Sequence, residues 1–130
     1  MEIEKALENL LKNHLSLKAI HKGQVCFGLA PESWKGAYQT FFQVSDPPEL
    51  RRLGVPRPRY QINSFSPDQA ISAKMAEITK DILDGFAGVM GGAAGKVVMN
   101  ASYVDTAGDL AEPESGLFNR PIDVKIQYRR

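Results

Sequence analysis

The chain has 130 residues, 43% hydrophobic and 24% charged, a composition that fits one globular domain over residues 1–130 and excludes global disorder. Sixteen Lys and Arg against 15 Asp and Glu leave no broad field toward nucleic acid or anionic lipid, so any such contact needs a local patch. One cysteine, Cys26, excludes an internal disulfide and reads, in its apolar setting, as a buried thiol in a reducing compartment.

Ile3, Leu7, Leu10 and Leu11 recur at helical spacing, with Glu2, Glu4, Lys5, Glu8 and Lys12 between them, so the chain opens on an amphipathic helix. Met1 leads into acidic residues where a signal peptide carries basic charge, and no apolar run approaches the roughly 20 residues that span a bilayer. The expected location is the cytoplasm. Ser16 is a candidate cap for a second short helical turn through Leu17 and Ile20, stopped by Gly23. Residues 24–27 read as a short strand and 28–36 as a loop.

Residues 38–45 form an aromatic strand, with Tyr38, Thr40, Phe42 and Val44 on one face and Gln39, Phe41, Gln43 and Ser45 on the other. The stretch 46–58 follows, with Pro47, Pro48, Pro56 and Pro58 among Arg51, Arg52 and Arg57, a composition foreign to a central strand. It is expected to be a projecting, proline-rich basic loop. Extended pattern resumes at Arg59 to Phe65. Ser66, Pro67, Asp68 and Gln69 then offer an N-cap, a first-turn proline, an acid and a capping-box partner. Ile71, Met75, Ile78, Ile82 and Phe86 form the stripe of a central amphipathic helix, its other faces wet with Lys74, Glu77, Lys80, Asp81 and Asp84.

Gly85 and Gly88 weaken that helix near its end, and Gly91, Gly92 and Gly95 mark a turn. Residues 97–104 alternate as a strand, 105–116 form an acidic loop, and 122–128 give the cleanest strand, with Ile122, Val124, Ile126 and Tyr128 on one face. Pro121 belongs at its start or on an edge. The fold class that emerges is α+β: an antiparallel or mixed sheet of about four to five strands, packed by the N-terminal helix and the central helix.

No residue set points to catalysis or to a cofactor. His14 and His21 lack ligand partners at metal spacing, and Ser33 and Ser102 sit in no nucleophile motif. The 88–95 glycines followed by Lys96 miss the phosphate-loop pattern, which places a strand before the glycines and a Ser or Thr after the lysine. Asp105, Asp109, Glu112 and Glu114 miss the calcium-loop pattern. The basic set Arg51, Arg52, Arg57 and Arg59 reads first as a solvated loop. Its alternatives are a contact with an acidic partner or DNA phosphates, or, in a ring, with the acidic loop of a neighbouring subunit through Asp105, Asp109, Glu112 and Glu114.

Several segments together resemble the tail-completion, or tail-terminator, proteins of tailed bacteriophages and prophages. They are LENLLKNHLSLKAI leading to VCFGLAPE, then YQTFFQVS, PRYQINSFSPDQAISAKMAEITKDIL and the terminal PIDVKIQYRR. The most telling is the aromatic strand that runs directly into a Ser-Pro-Asp-Gln helix start. The resemblance implies a structural, non-enzymatic virion assembly protein that needs no cofactor. Such a protein forms a ring, commonly a hexamer, at the head-tail junction, where it stops tail-tube growth and allows joining to the head connector, after assembly in the host cytoplasm. Its implied partners are further copies of itself, the tail-tube protein, the connector or stopper, and DNA passing through the lumen. Two rival readings stand beside it: a small cytoplasmic nucleic-acid- or protein-binding module using Arg51 to Arg59, and an enzyme of unrecognised type.

Overall fold

A computed structural model describes residues 2–31, 33–45, 58–90, 96–106, 110–112 and 116–128. The helices are α1 (Glu2–Asn13), α2 (Leu15–His21) and α3 (Gln69–Leu83). The strands are β1 (Val25–Phe27), β2 (Tyr38–Ser45), β3 (Arg59–Ser66), β4 (Gly88–Met90), β5 (Lys96–Thr106), β6 (Leu110–Glu112), β7 (Leu117–Asn119) and β8 (Ile122–Tyr128). They form one mixed sheet in the order β1-β2-β3-β8-β5-β4, with β7 beside β3 and β6 beside β7. Among the described residues only the β1–β2 pair is parallel. The class is α+β, as the sequence predicts; β4, β6 and β7, of three residues each, are additions too short to leave a periodic signal.

The helices pack on one face of the sheet, and the core lies between. Ile3, Ala6, Leu7 and Leu11 of α1 are buried with Phe41, Tyr60, Ile62, Met75, Ile122, Val124 and Ile126. Each fully buried side chain of this size contributes about 1.5–3 kcal/mol. Glu4, expected on the wet side of α1, is only 8% exposed and accepts a hydrogen bond from the Tyr60 hydroxyl at 2.5 Å. The α2 N-cap is His14, with Ser16 inside the helix, and the chain leaves α2 through Lys22 in the left-handed region (φ 56°) and Gly23 (φ 84°).

The central helix departs from expectation at both its start and its face. Its N-cap is Asp68, whose side chain accepts from Ala70 N–H at 2.9 Å, while Ser66 is the last residue of β3 and its hydroxyl accepts from Asp68 N–H. Pro67 therefore stands before the cap. The buried positions are Ser72, Met75, Ala76, Thr79 and Leu83, with Ile78 and Ile82 half-buried and Ile71 exposed. The helix ends at Leu83, so Phe86 lies beyond it, and β4 stands where the sequence reading carried the helix toward the glycine turn. The glycine positions 91–95 lie outside the described residues.

The register between β3 and the β7–β8 stretch is continuous, from Ser66 opposite Phe118 to Arg59 opposite Lys125. Where β7 passes into β8, Arg120 N–H donates to Ser64 C=O at 3.3 Å, and the Asn119 side chain adds to the ladder: its Oδ1 accepts from Ser64 N–H at 3.0 Å and its Nδ2 donates to Asn63 Oδ1 at 3.1 Å. Of the expected acidic loop at 105–116, Asp105 and Thr106 belong to β5, and 110–112 is β6, because backbone pairing with β8 and β7 claims them.

Candidate assembly surface

Among the described residues no helix covers the second face of the sheet. Alternation decides which side chains occupy it. Gln39 and Phe41 of β2 turn inward and are fully buried, which sends Tyr38, Thr40 and Phe42 outward, opposite Phe65, Asn63 and Gln61 of β3. Trp34, Tyr38 and Phe65 form an aromatic run, the first pair edge-on with ring centroids 6.0 Å apart and the second stacked at 4.9 Å. Farther along β2, Phe42 is 42% exposed and Val44 48%. Large apolar side chains exposed side by side on one strand are the kind of feature that marks a protein contact.

The same strand has an incomplete edge. Gln39 N–H donates to Gln24 C=O and Phe41 C=O accepts from Gly28 N–H, so the backbone groups of these alternate residues point toward β1. Strand β1 pairs only with Gln39 to Phe41, and among the described residues nothing pairs with that side of β2 beyond Phe41. By alternation the N–H and C=O of Gln43 face outward there, beside exposed Phe27 and Leu29. An open edge with apolar residues on it is a template for an added strand.

Of the predicted interface residues, Arg59 opens β3 and forms an ion pair with Asp123 of β8, their side chains 33% and 22% exposed. Asp105 stands opposite Asp123 on the other side of β8, so backbone register brings Arg59 and Asp105 to the two flanks of one strand within a single chain. Glu112 lies in β6 opposite Leu117; for Asp105 and Glu112 only the backbone is described. Arg51, Arg52, Arg57, Asp109 and Glu114 lie outside the described residues, as does the proline-rich loop except for buried Pro58, whose carbonyl accepts from Ile126 N–H.

Two clefts flank the Gly36 turn. One, of about 560 Å³, lies between α2 and the start of α3 and is lined by Ala19, Ile20, Ala37, Pro67, Ile71 and Lys74. The other, of about 480 Å³, runs beside Trp34, Lys35, Tyr38 and Leu117. Neither gathers a set of catalytic groups. Among the described residues no group of three His, Cys, Asp or Glu could hold a metal ion, and no helix is long and apolar enough to cross a membrane. Cys26 is half-buried, less enclosed than expected because β1 is an edge strand; its thiol lies 3.4 Å from Leu29 C=O, and burial, with Glu8, pushes its pKa up.

Sequence reasoning missed a polar cluster beneath the helices. Gln39 Nε2 donates to Ser64 Oγ at 3.1 Å and to Thr79 Oγ1 at 2.8 Å, and the Ser72 and Thr79 hydroxyls donate to Ser64 C=O and Met75 C=O. Its one signal in the chain is the pair of hydroxyls seven apart on a single helix face, Ser72 and Thr79.

No protein-family model matches the chain, and no curated protein matches it. Among solved structures, a chain of the virion of a native gene transfer agent particle covers 98% of this chain, and 94% of its own length, at a TM-score of 0.76 and 13% identity. The two chains share a fold. A second solved chain is 18% identical, covering 96% of this chain and 92% of its own, with a TM-score of 0.56. At these identities the likeness is one of fold, and it extends over nearly all of the α+β arrangement.

Proposed function

We propose that the protein is a structural virion component of a tailed phage or phage-like particle, acting by assembly without catalysis or cofactor. The observation that carries this reading is the near-complete overlay on a chain of a gene transfer agent virion. More finely, it is a tail terminator: copies form a ring, a hexamer in this reading, at the end of the tail tube, halt tube growth, and let the tail join the head connector while DNA passes through the lumen.

The open β2 edge and the Phe42–Val44 patch supply contact surface for such a ring, or for the tube that it caps. In a closed ring each subunit uses two different surfaces, one given and one received. Residues Arg51, Arg52, Arg57 and Arg59 on one side and Asp105, Asp109, Glu112 and Glu114 on the other are the charged groups proposed to meet across that contact. Arg59 is engaged with Asp123 within the chain, which leaves less of its charge for a neighbouring subunit or a nucleic acid alike.

The test is mass by light scattering with negative-stain imaging, for the protein alone and mixed with its cognate tail-tube protein. Rings, or tubes capped at uniform length, support the terminator. A monomer beside tubes of unlimited length removes it, and salt-sensitive DNA or RNA binding lost on changing the four arginines would put the binding-module reading in its place.

A further inference from the structure

His21 is the last residue of α2 and has no solvent exposure. Its Nδ1 accepts a hydrogen bond from Gly23 N–H at 3.0 Å, so that nitrogen carries no proton and the ring is the neutral Nε2–H tautomer. Nε2 and Gln39 Oε1 are both buried without a hydrogen-bond partner of good geometry. The ring therefore holds the turn into β1 through one bond that exists only while Nδ1 is bare.

That bond closes a strained turn. Lys22 sits in the left-handed region, where a non-glycine residue is strained, and the next bonds, from Gln24 N–H to His21 C=O and from Val25 N–H to Gly23 C=O, follow from the same bend. Beyond it, β1 is an edge strand three residues long. The groups around the ring favour the neutral form. On α1 the nearest acceptor is the Leu11 carbonyl, and the charged neighbour is Lys12, whose stem packs by Gly23; α2 adds Lys18 and Lys22; β2 presents Gln39 and α3 presents Thr79, both uncharged. Burial lowers the affinity of the ring for a proton, and only the weak pull of the Leu11 and His21 carbonyls and of Gln39 opposes it.

From this geometry we infer that His21 is an acid-sensitive latch on the α2–β1 turn: a proton taken from solvent onto Nδ1 sets two donors against each other at Gly23, and the turn opens to free β1 from the sheet edge. The bond lost is Gly23 N–H to Nδ1; the bond gained is Nδ1–H to water once the ring swings out. Strands β3, β8 and β5, which are paired on both sides, stay in place. The latch is a property of the single chain and stands apart from what the protein assembles with.

Amide hydrogen exchange on the purified protein between pH 7.5 and 4.5, corrected for intrinsic rates, tests it. Opening linked to one proton lowers protection of the Gly23 to Phe27 amides by about tenfold per pH unit below about 6.5, while amides of α3 and β8 keep theirs. His21→Asn keeps an acceptor near Gly23 and cannot titrate, so its protection in this segment stays flat. Nitrogen-15 spectra of the wild-type imidazole give a readout that needs no variant: the His21 imidazolium signal should rise in step with the loss of protection. Amides of Gly23 to Phe27 that hold to pH 4.5, that open only together with α3, or that hold while the ring titrates would each overturn the latch.

Discussion

Tyr60 and Glu4 join the sheet to the first helix, and removing one hydroxyl measures what that join contributes. Tyr60 is fully buried and Glu4 nearly so, and the phenol donates to the carboxylate at 2.5 Å. In Tyr60→Phe the ring still fills its place, so the packing loss is small, and what disappears is a hydrogen bond to a charged acceptor, worth about 1.5–3 kcal/mol. Urea unfolding followed by circular dichroism should show the midpoint falling by roughly 0.75–1.5 M, taking m as about 2 kcal/mol/M, with m unchanged. Both residues make other interactions as well, so the pair is best isolated by a double-mutant cycle with Glu4→Leu, which removes the acceptor. A coupling below about 0.5 kcal/mol, or a Tyr60→Phe midpoint equal to wild type, would refute the view that this bond anchors α1.

Three further outcomes follow from the geometry. Asp68→Ala, which removes the observed helix cap, should cost about 0.5–2 kcal/mol in the same unfolding assay. Stability should fall as pH drops below about 6.5: the folded chain resists protonating His21 while the unfolded chain accepts the proton there, so the contribution is fully present above that value and is lost toward acid, by up to about 1.4 kcal/mol per pH unit; a His21→Asn variant with the same acid slope would contradict this. Phe42→Asp, on an exposed position, should leave the unfolding free energy within about 0.5 kcal/mol of wild type yet abolish the proposed ring formation or tube capping in light scattering and negative stain.

The elements that show in the sequence are those whose period is strong. The 38–45, 59–65 and 122–128 strands and the N-terminal helix stand where alternation and helical spacing put them. On α3 the spacing holds and part of the expected stripe of Ile71, Met75, Ile78, Ile82 and Phe86 does face the core: Met75 is buried, and Ile78, Ile82 and Phe86 are partly buried against it, but Ile71 is exposed and the most buried positions include Ser72, Ala76, Thr79 and Leu83, each one residue along the helix. Hydrophobicity alone favours the isoleucines. What turns the helix is that Ser72 and Thr79 find acceptors and a donor in Ser64, Met75 and Gln39, which no periodicity reveals. The cap moved for a related reason: β3 keeps Ser66 in its ladder opposite Phe118, so the helix starts from Asp68. The candidate surface was legible only in part. The pattern separated Phe42 from Phe41, but exposure of Phe42 and Val44 depends on how short β1 is, and that is a tertiary fact.

The position of β8 in the sheet bears on how the chain folds. It follows every other described element in sequence, yet it lies between β3 and β5 and joins the two halves of the sheet. Until it arrives, β1-β2-β3 and β5-β4 are separate pieces, and the apolar stripe of α1, which packs against both β1 and β5, has only part of its seat. Such dependence on contacts far apart in sequence makes for slow closure. A ribosome-bound chain stopped before Ile122 should therefore stay open to protease along α1, and any surface built jointly by the two halves would come into its final relation only when that strand is inserted.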